Sequence, residues 1–220
     1  MAFLDILPRR YGSAEIFLYS KGGKRLFDLI LCLCLIPFVV PVIAVLWFIS
    51  SANGNHGFYG HPRVGRYGKT FKCWKIRTME PGADLLLDNI LEVNADFAHE
   101  WRHNQKLKND PRVLRFGRFL RVTSMDELPQ IWNVLRGDMS FVGPRPITRV
   151  ELVRYDDAAD DYLSQRPGIT GLWQVSGRGE VSFKQRVRLD QEYIHHISLV
   201  EDLVLLFRTI AAVLRATRNG

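Results

Sequence analysis

From Leu29 to Ile49 the chain runs for 21 residues without a charged side chain. As a helix that stretch is about 31 Å long, enough to cross the hydrocarbon of a bilayer, so a membrane-inserted segment is predicted over residues 21–50. Two prolines interrupt it. Pro37 and Pro41 each remove a helical hydrogen bond, freeing the carbonyls of Leu33 and Pro37, and together they predict a kink. Both flanks are basic: Lys21, Lys24 and Arg25 come before the run, and Arg63, Arg66, Lys69, Lys72, Lys75 and Arg77 after it, with no acid between Asp28 and Glu80. Segments rich in Lys and Arg stay on the cytoplasmic side. A helix that enters one leaflet, bends and returns satisfies both the prolines and the flanks. A straight span with the polar part outside is the competing reading, and a buried core helix is the third.

The pattern changes after Ser50. Residues 63–79, RVGRYGKTFKCWKIRTM, alternate aromatic and β-branched positions around Tyr67-Gly68, which predicts a β-hairpin with its turn there. Residues 83–108 carry Leu85, Leu86, Ile90, Leu91, Phe97 and Trp101 at helical spacing and read as a scaffold helix. Asn109-Asp110-Pro111 breaks that pattern. Next, Arg112, Arg115, Arg118 and Arg121 recur in steps of three with apolar residues between them, a basic amphipathic piece suited to a membrane interface or to a solvated helix face. Residues 149–164 read as a polar helix, and Arg166–Gly179 as a loop whose glycines allow close approach of backbone to a ligand. Helical periodicity returns in Phe183–Arg215. His195-His196 in that tail reads as surface or packing, since adjacent helical residues point apart. Residues 1–20 form a weakly amphipathic extension, and residues 51–220 one cytosol-facing domain. The fold class is α+β, mainly helical: a membrane helix-break-helix, a small hairpin and interfacial amphipathic helices.

Charge narrows the function. An apolar content of 47% excludes a disordered chain, and a formal charge of +7 asks for an anionic partner: nucleic acid, a phospholipid surface or a phosphorylated substrate. The three cysteines, Cys32, Cys34 and Cys73, have no metal-ligand spacing, which fits a reducing compartment without disulfides.

The groups needed to handle a phosphate ester are concentrated in Arg121–Pro146, RVTSMDELPQIWNVLRGDMSFVGPRP. Asp126-Glu127 lies between Arg121 and a Gly-Pro-Arg-Pro turn. Arginines neutralise and orient a phosphate while a carboxylate attacks or moves a proton. A structural explanation stands beside this one. Ser124-Met125-Asp126-Glu127 fits a capping box that would simply start the helix carrying Ile131, Trp132, Val134 and Leu135. Pro129 argues for Asp126 rather than Ser124 as N-cap, because it then falls in the first turn, where a missing N–H is tolerated. The positive end of that helix would favour an ionised Asp126.

Several long motifs occur in order. They are Pro41-Val42-Ile43, Lys75-x-Arg77-Thr78-Met79, Leu107–Arg112, Thr123–Gln130, Asn133–Pro146 and Arg166–Val175. Over residues 21–215 the chain closely resembles the bacterial sugar transferases, monotopic phosphoglycosyl transferases that start exopolysaccharide and glycoconjugate assembly. The resemblance implies an undecaprenyl-phosphate hexose-1-phosphate transferase. Such an enzyme moves a sugar 1-phosphate from a UDP-sugar to polyprenyl phosphate with release of UMP and help from Mg²⁺, at the cytoplasmic face of the bacterial inner membrane. It implies Asp126 as the nucleophile and a Mg²⁺ ligand, Glu127 as its assistant, Arg145 as a phosphate-binding arginine and Arg121 as an active-site arginine. Pro41 matches the proline that bends the re-entrant helix. Lys75, Arg77, Arg166, Gln174 and Asp190 fall on family motif positions as substrate-binding residues. Three departures stand out: Val40 precedes Pro41 where some members have Ser, Gly179-Glu180 replaces an Asn-containing continuation, and the multi-span N-terminal half of larger members is not in this sequence, which reads as a short form. A homodimer stays open.

A non-catalytic membrane-surface scaffold that binds anionic lipid or a partner is the alternative of another class. Nucleic-acid binding is not expected, given the membrane run.

Overall fold

The computed structural model describes residues 18–52, 56–104, 107, 109–176 and 181–219. Most of the expected extension, residues 1–17, and the Gly179-Glu180 departure lie outside the described residues. A π-helical turn, Tyr19–Gly23, feeds directly into α1, Lys24–Ser51. The expected helix-break-helix is a single helical element with Pro37 and Pro41 inside it. Each proline forfeits its own N–H bond, and the backbone stays helical on both sides of it.

One side of α1 packs on the domain along its whole length. Near the start, Arg25 donates to the carbonyls of Val134 and Leu135 at 2.5 and 2.8 Å. Asp28 accepts from Ser140 Oγ and from the Phe141 N–H, both at 3.0 Å. In the middle, Leu31, Leu35 and Val39 rest on the core of Ile131, Val134, Phe141 and Tyr193. At the far end Ser50 Oγ donates to the Arg77 carbonyl at 2.8 Å. The opposite side leaves Ile30, Leu33, Phe38, Val45 and Phe48 exposed. Asp202, fully buried, ties the start of the helix to the C-terminal helices: it accepts from Lys24 Nζ at 2.5 Å and from the hydroxyls of Tyr19 and Tyr193, both at 2.7 Å.

The hairpin forms as the alternation predicts. Strands β1, Phe58–Val64, and β2, Thr70–Ile76, pair antiparallel from Phe58↔Ile76 to Val64↔Thr70. The turn uses left-handed Tyr67 and Gly68. The expected single helix at 83–108 is two, α2, Ala83–Val93, and α3, Ala95–Asn104. Asn94 makes the break, because its side-chain oxygen accepts the N–H groups of Asp96 and Phe97 and so starts a new helix.

Arg112 does not continue the arginine stripe; it is buried in a bidentate pair with Asp110 before the helix begins. Helix α4, Arg115–Thr123, buries Gly117 and Leu120 and exposes Arg118 and Phe119. A left-handed Ser124 (φ 58°) then leads into one 3₁₀ turn, Met125–Glu127, and α5, Gln130–Arg136, starts behind Pro129. Neither expected cap is present. Ser124 makes no side-chain N-cap bond and instead closes α4 as its C-cap, Asp126 lies within the 3₁₀ turn, and Pro129 takes the N-cap place, where no intrahelical N–H is needed.

Strands β3, Ser140–Val142, and β4, Gly168–Thr170, pair in parallel. The described part of the expected loop Arg166–Gly179, residues 166–176, supplies β4 and a short helix α8, Leu172–Ser176. Two of its glycines, Gly168 and Gly171, allow close approach of backbone to backbone. A Cβ on Gly168 or Gly171 would stand 2.1 Å from the backbone of Gly143. The polar stretch 149–164 divides into α6, Arg149–Val153, a 3₁₀ turn and α7, Ala159–Ser164. The tail forms α9, Phe183–His195, and α10, Leu199–Asn219. His195 faces Asp161 and His196 the Glu192 carbonyl, so the two do not converge.

Candidate active site

The acidic pair is held by apolar residues on either side of it. Met125 and Leu128 pack with Ile43 and Leu46 of α1, Ile76 of β2 and Leu120 of α4. That contact fixes the 3₁₀ turn against the C-terminal half of the apolar helix. Lys75 reaches the pair from β2, its Nζ 2.6 Å from Glu127 Oε1 and 3.7 Å from Asp126 Oδ2.

Asp126 is only 7% exposed. Burial pushes its carboxyl up to about 6, with Glu127 adding to the rise while Lys75 and Arg121 oppose it. The helix-end argument for an ionised Asp126 is thus outweighed by desolvation. Burial alone would lower Lys75, yet Glu127 and Asp126 outweigh it and the ammonium is raised above its ordinary value. Lys75 therefore keeps its charge where Asp126 changes its own.

Arg121, in the last turn of α4, donates through Nε to Thr78 Oγ1 at 2.9 Å and lies within electrostatic reach of Asp126. Arg145 follows Gly143-Pro144, where the Gly143 N–H donates to the Thr170 carbonyl and the Gly168 N–H to the Pro144 carbonyl, both at 2.9 Å. Its guanidinium lies 5.0 Å from the centre of the Trp173 ring. Cys73 is within electrostatic reach of Lys75 and Glu127 and also of Arg63 and Arg145, which links the Gly-Pro-Arg-Pro turn to the dyad.

The remaining expected site residues divide. Gln174 follows Trp173 on α8, and Trp173 Nε1 and Gln174 Oε1, both buried, make no hydrogen bond to the described residues. Asp190 is buried and accepts from the Tyr155 hydroxyl at 2.7 Å and from the backbone N–H of Arg145, with burial raising it to about 7. It holds the turn rather than facing the dyad. Arg77 donates to the His56 carbonyl and lies over Tyr59, closing the base of the hairpin. Arg166 donates to the Gly137 carbonyl and lines a separate cavity.

Arg63, Cys73 and Trp173 belong to this neighbourhood and were not among the expected site residues. Hairpin register is the signal that finds the first two: Arg63 pairs with Phe71, and Phe71, Cys73 and Lys75 alternate onto one face of β2. No group of three or more His, Cys, Asp or Glu side chains gathers among the described residues. The dyad offers two adjacent carboxylates, the donor set on which Mg²⁺ sits when substrate phosphates and water complete its shell.

Comparison with known proteins completes the site. The sequence model for the family described as bacterial sugar transferase matches residues 19–216. The chain is 48% identical over 201 residues to the UDP-galactose-lipid carrier transferase of Erwinia amylovora, covering 91% of this chain and 42% of that protein. It is 46% identical over 201 residues to the undecaprenyl-phosphate galactose phosphotransferase of Salmonella typhimurium, with 91% and 42% covered. It is 47% identical over 195 residues to the exopolysaccharide production protein ExoY of Rhizobium meliloti, with 87% and 86% covered. The chain thus spans less than half the length of the first two relatives and most of the third.

Proposed function

The chain belongs to the bacterial sugar transferase family, and from that membership and the geometry of the site we propose that it moves a sugar 1-phosphate from a UDP-sugar to polyprenyl phosphate, releasing UMP. The observation that carries the reading is a carboxylate pair, Asp126 buried and Glu127 partly exposed, bridged by one ammonium and anchored to the C-terminal half of an exposed apolar helix.

In the first step a carboxylate oxygen of Asp126 attacks the β-phosphorus of the UDP-sugar. The bond from that phosphorus to the bridging oxygen breaks, its electron pair leaves on UMP, and an aspartyl phosphosugar remains. In the second step an oxygen of polyprenyl phosphate attacks the same phosphorus. The bond to Asp126 breaks, the carboxylate returns, and Glu127 accepts any proton carried by the attacking phosphate. Splitting the exchange this way spares the site from binding a water-soluble donor and a lipid acceptor together. Arg145 and Arg121 offset charge on the diphosphate, and Lys75 offsets the repulsion between the two carboxylates. Asp126 would hold Mg²⁺, which when bound withdraws charge from the leaving phosphate. The buried, hydrogen-bond-free Trp173 Nε1 and Gln174 Oε1 support a polar ligand beside Arg145.

The membrane reading rests on α1. Its two ends bond to the same domain, through Arg25 to Val134 and Leu135 and through Ser50 to Arg77, while its outer face is apolar and exposed. That supports a helix immersed in one leaflet, with the site at the cytoplasmic face of the inner membrane.

The test is steady-state kinetics of UMP release with the UDP-sugar and polyprenyl phosphate varied together. Parallel double-reciprocal lines are expected. Intersecting lines, or full activity in Asp126→Asn, would overturn the two-step mechanism.

A further inference from the structure

At the end of α1 away from the dyad a polar cavity of about 340 Å³ opens, lined by Lys21, Lys24, Arg25, Arg66 and Arg166 with Asp28 as the one carboxylate. Five cations against one acid is the composition of an anion site, and the arrangement of the arginines goes further than composition. Arg25 is fixed to the Val134 and Leu135 carbonyls, Arg166 through Nε to the Gly137 carbonyl at 2.8 Å, and Arg66 through Nε to the Ser164 carbonyl at 2.7 Å. None of the three forms an ion pair with a carboxylate of the described residues, and the terminal nitrogens of Arg66 and Arg166 make no hydrogen bond to them. Arg66 and Arg166 are thus each anchored to backbone through Nε, with the Arg66 guanidinium 4.6 Å from the centre of the Tyr67 ring, while Arg25 is held through both terminal nitrogens.

Among the described residues, the acids at this end of α1 are already engaged. Asp28 is 1% exposed and already accepts from Ser140 and Phe141. Asp202 is taken by Lys24 and two tyrosine hydroxyls. The repulsion leaves a trace on Arg166, which burial and the nearby Arg66 and Arg25 hold below its ordinary value. A basic patch serving only as a solvated topology signal would leave these side chains extended into water. Here they converge on a concavity made by α1, the hairpin turn and the start of β4.

The location fixes the class of ligand. Lys21, Lys24 and Arg25 lie immediately before the apolar run, where insertion of α1, as proposed above, would bring them to the lipid headgroups. The site is separate from the dyad: Thr70 and Lys75 are about 17 Å apart along β2, and Arg66 lies beyond Thr70. We propose that this cavity binds a phosphate group, presented by an anionic phospholipid headgroup or by soluble phosphate, as a second anion site that holds the start of α1 at the membrane surface. Planar guanidiniums such as those of Arg66 and Arg166, whose terminal N–H groups make no hydrogen bond to the described residues, suit phosphate oxygens.

The test uses the full chain in a zwitterionic detergent, titrated by calorimetry with dihexanoylphosphatidylglycerol, dihexanoylphosphatidylcholine and inorganic phosphate. Saturable binding of the anionic lipid is expected, about tenfold or more tighter than that of the neutral one, and weakened about tenfold in Arg66→Gln and in Arg166→Gln. Asp126→Asn is expected to bind as wild type does, which separates this site from the catalytic one. Saturable binding of inorganic phosphate with equal sensitivity to the two substitutions would support the site and assign it a soluble ligand. Wild type that binds neither anion saturably, or equal binding in wild type and both folded variants, would overturn the proposal.

Discussion

Lys75 Nζ stands 2.6 Å from Glu127 Oε1, and the same ammonium is 3.7 Å from Asp126 Oδ2. One cation therefore serves two adjacent carboxylates, and the protonation of Asp126 depends on it. Because burial raises Asp126 to about 6, the deprotonated carboxylate that the proposed mechanism uses as nucleophile is lost as pH falls through that value. The rate of reaction of free enzyme with UDP-sugar is expected to fall by about tenfold per pH unit below about 6.

Removing the ammonium moves that limb in a defined direction. In Lys75→Met the opposing charge is gone, so Asp126 rises further and the acid limb of kcat/KM shifts to higher pH. Activity at neutral pH is expected to drop by roughly 10- to 100-fold and to recover in part at pH 9. A loss independent of pH would show that Lys75 acts on substrate rather than on the dyad.

Asp190 acts at a distance through the turn that carries Arg145. It accepts from Tyr155 and from the Arg145 N–H, and Asn offers only one acceptor oxygen for the two donors. Asp190→Asn is expected to cost about 1–3 kcal/mol of stability. It should also raise KM for the UDP-sugar more than it lowers kcat, as read from thermal unfolding and steady-state kinetics on the same preparation.

The glycines of the Arg166–Gly179 stretch show what the sequence could and could not tell. Their presence was plain, but their purpose was not, because the partner of Gly168 and Gly171 is Gly143, some 25 residues away, and parallel pairing of three-residue strands leaves no periodic trace. Short-range patterns were legible: the apolar run, the hairpin with its Tyr67-Gly68 turn, the amphipathic α4. What failed was the assignment of boundaries and caps, since Asn94 splitting one helix and Ser124 adopting a left-handed conformation are decided by side-chain bonding and packing. At the site, the dyad, Arg121 and Lys75 were found by charge and motif. Cys73 and Arg63 required the register of the hairpin, and Arg77 and Arg166 carry motif identity and are each tied through Nε to a backbone carbonyl.

Gly171→Ala tests the packing directly. The new Cβ would meet the Gly143 carbonyl oxygen at 2.1 Å, a contact that neither backbone can relieve without moving the turn before Arg145. A loss of about 1–3 kcal/mol in chemical denaturation is expected. Gly22→Ala, where a Cβ meets nothing within 4 Å, should be close to neutral.

The membrane arrangement predicts a labelling pattern. Cys34 is exposed on the apolar helix while Cys32 and Cys73 are buried, so Cys34 in lipid should resist a membrane-impermeant maleimide. In a Cys34→Ser background, Ser20→Cys and His56→Cys should both react in inverted inner-membrane vesicles and neither in intact cells with a permeabilised outer membrane. Reaction from opposite sides would mean that α1 crosses the bilayer.

The most direct measurement is the intact mass of the purified chain after incubation with UDP-sugar and Mg²⁺ without acceptor, followed by peptide mapping. The account predicts a mass increase equal to the phosphosugar, located on Asp126, lost on addition of polyprenyl phosphate and never formed in Asp126→Asn. An active wild-type enzyme that carries no such adduct, or carries it on another residue, would contradict it.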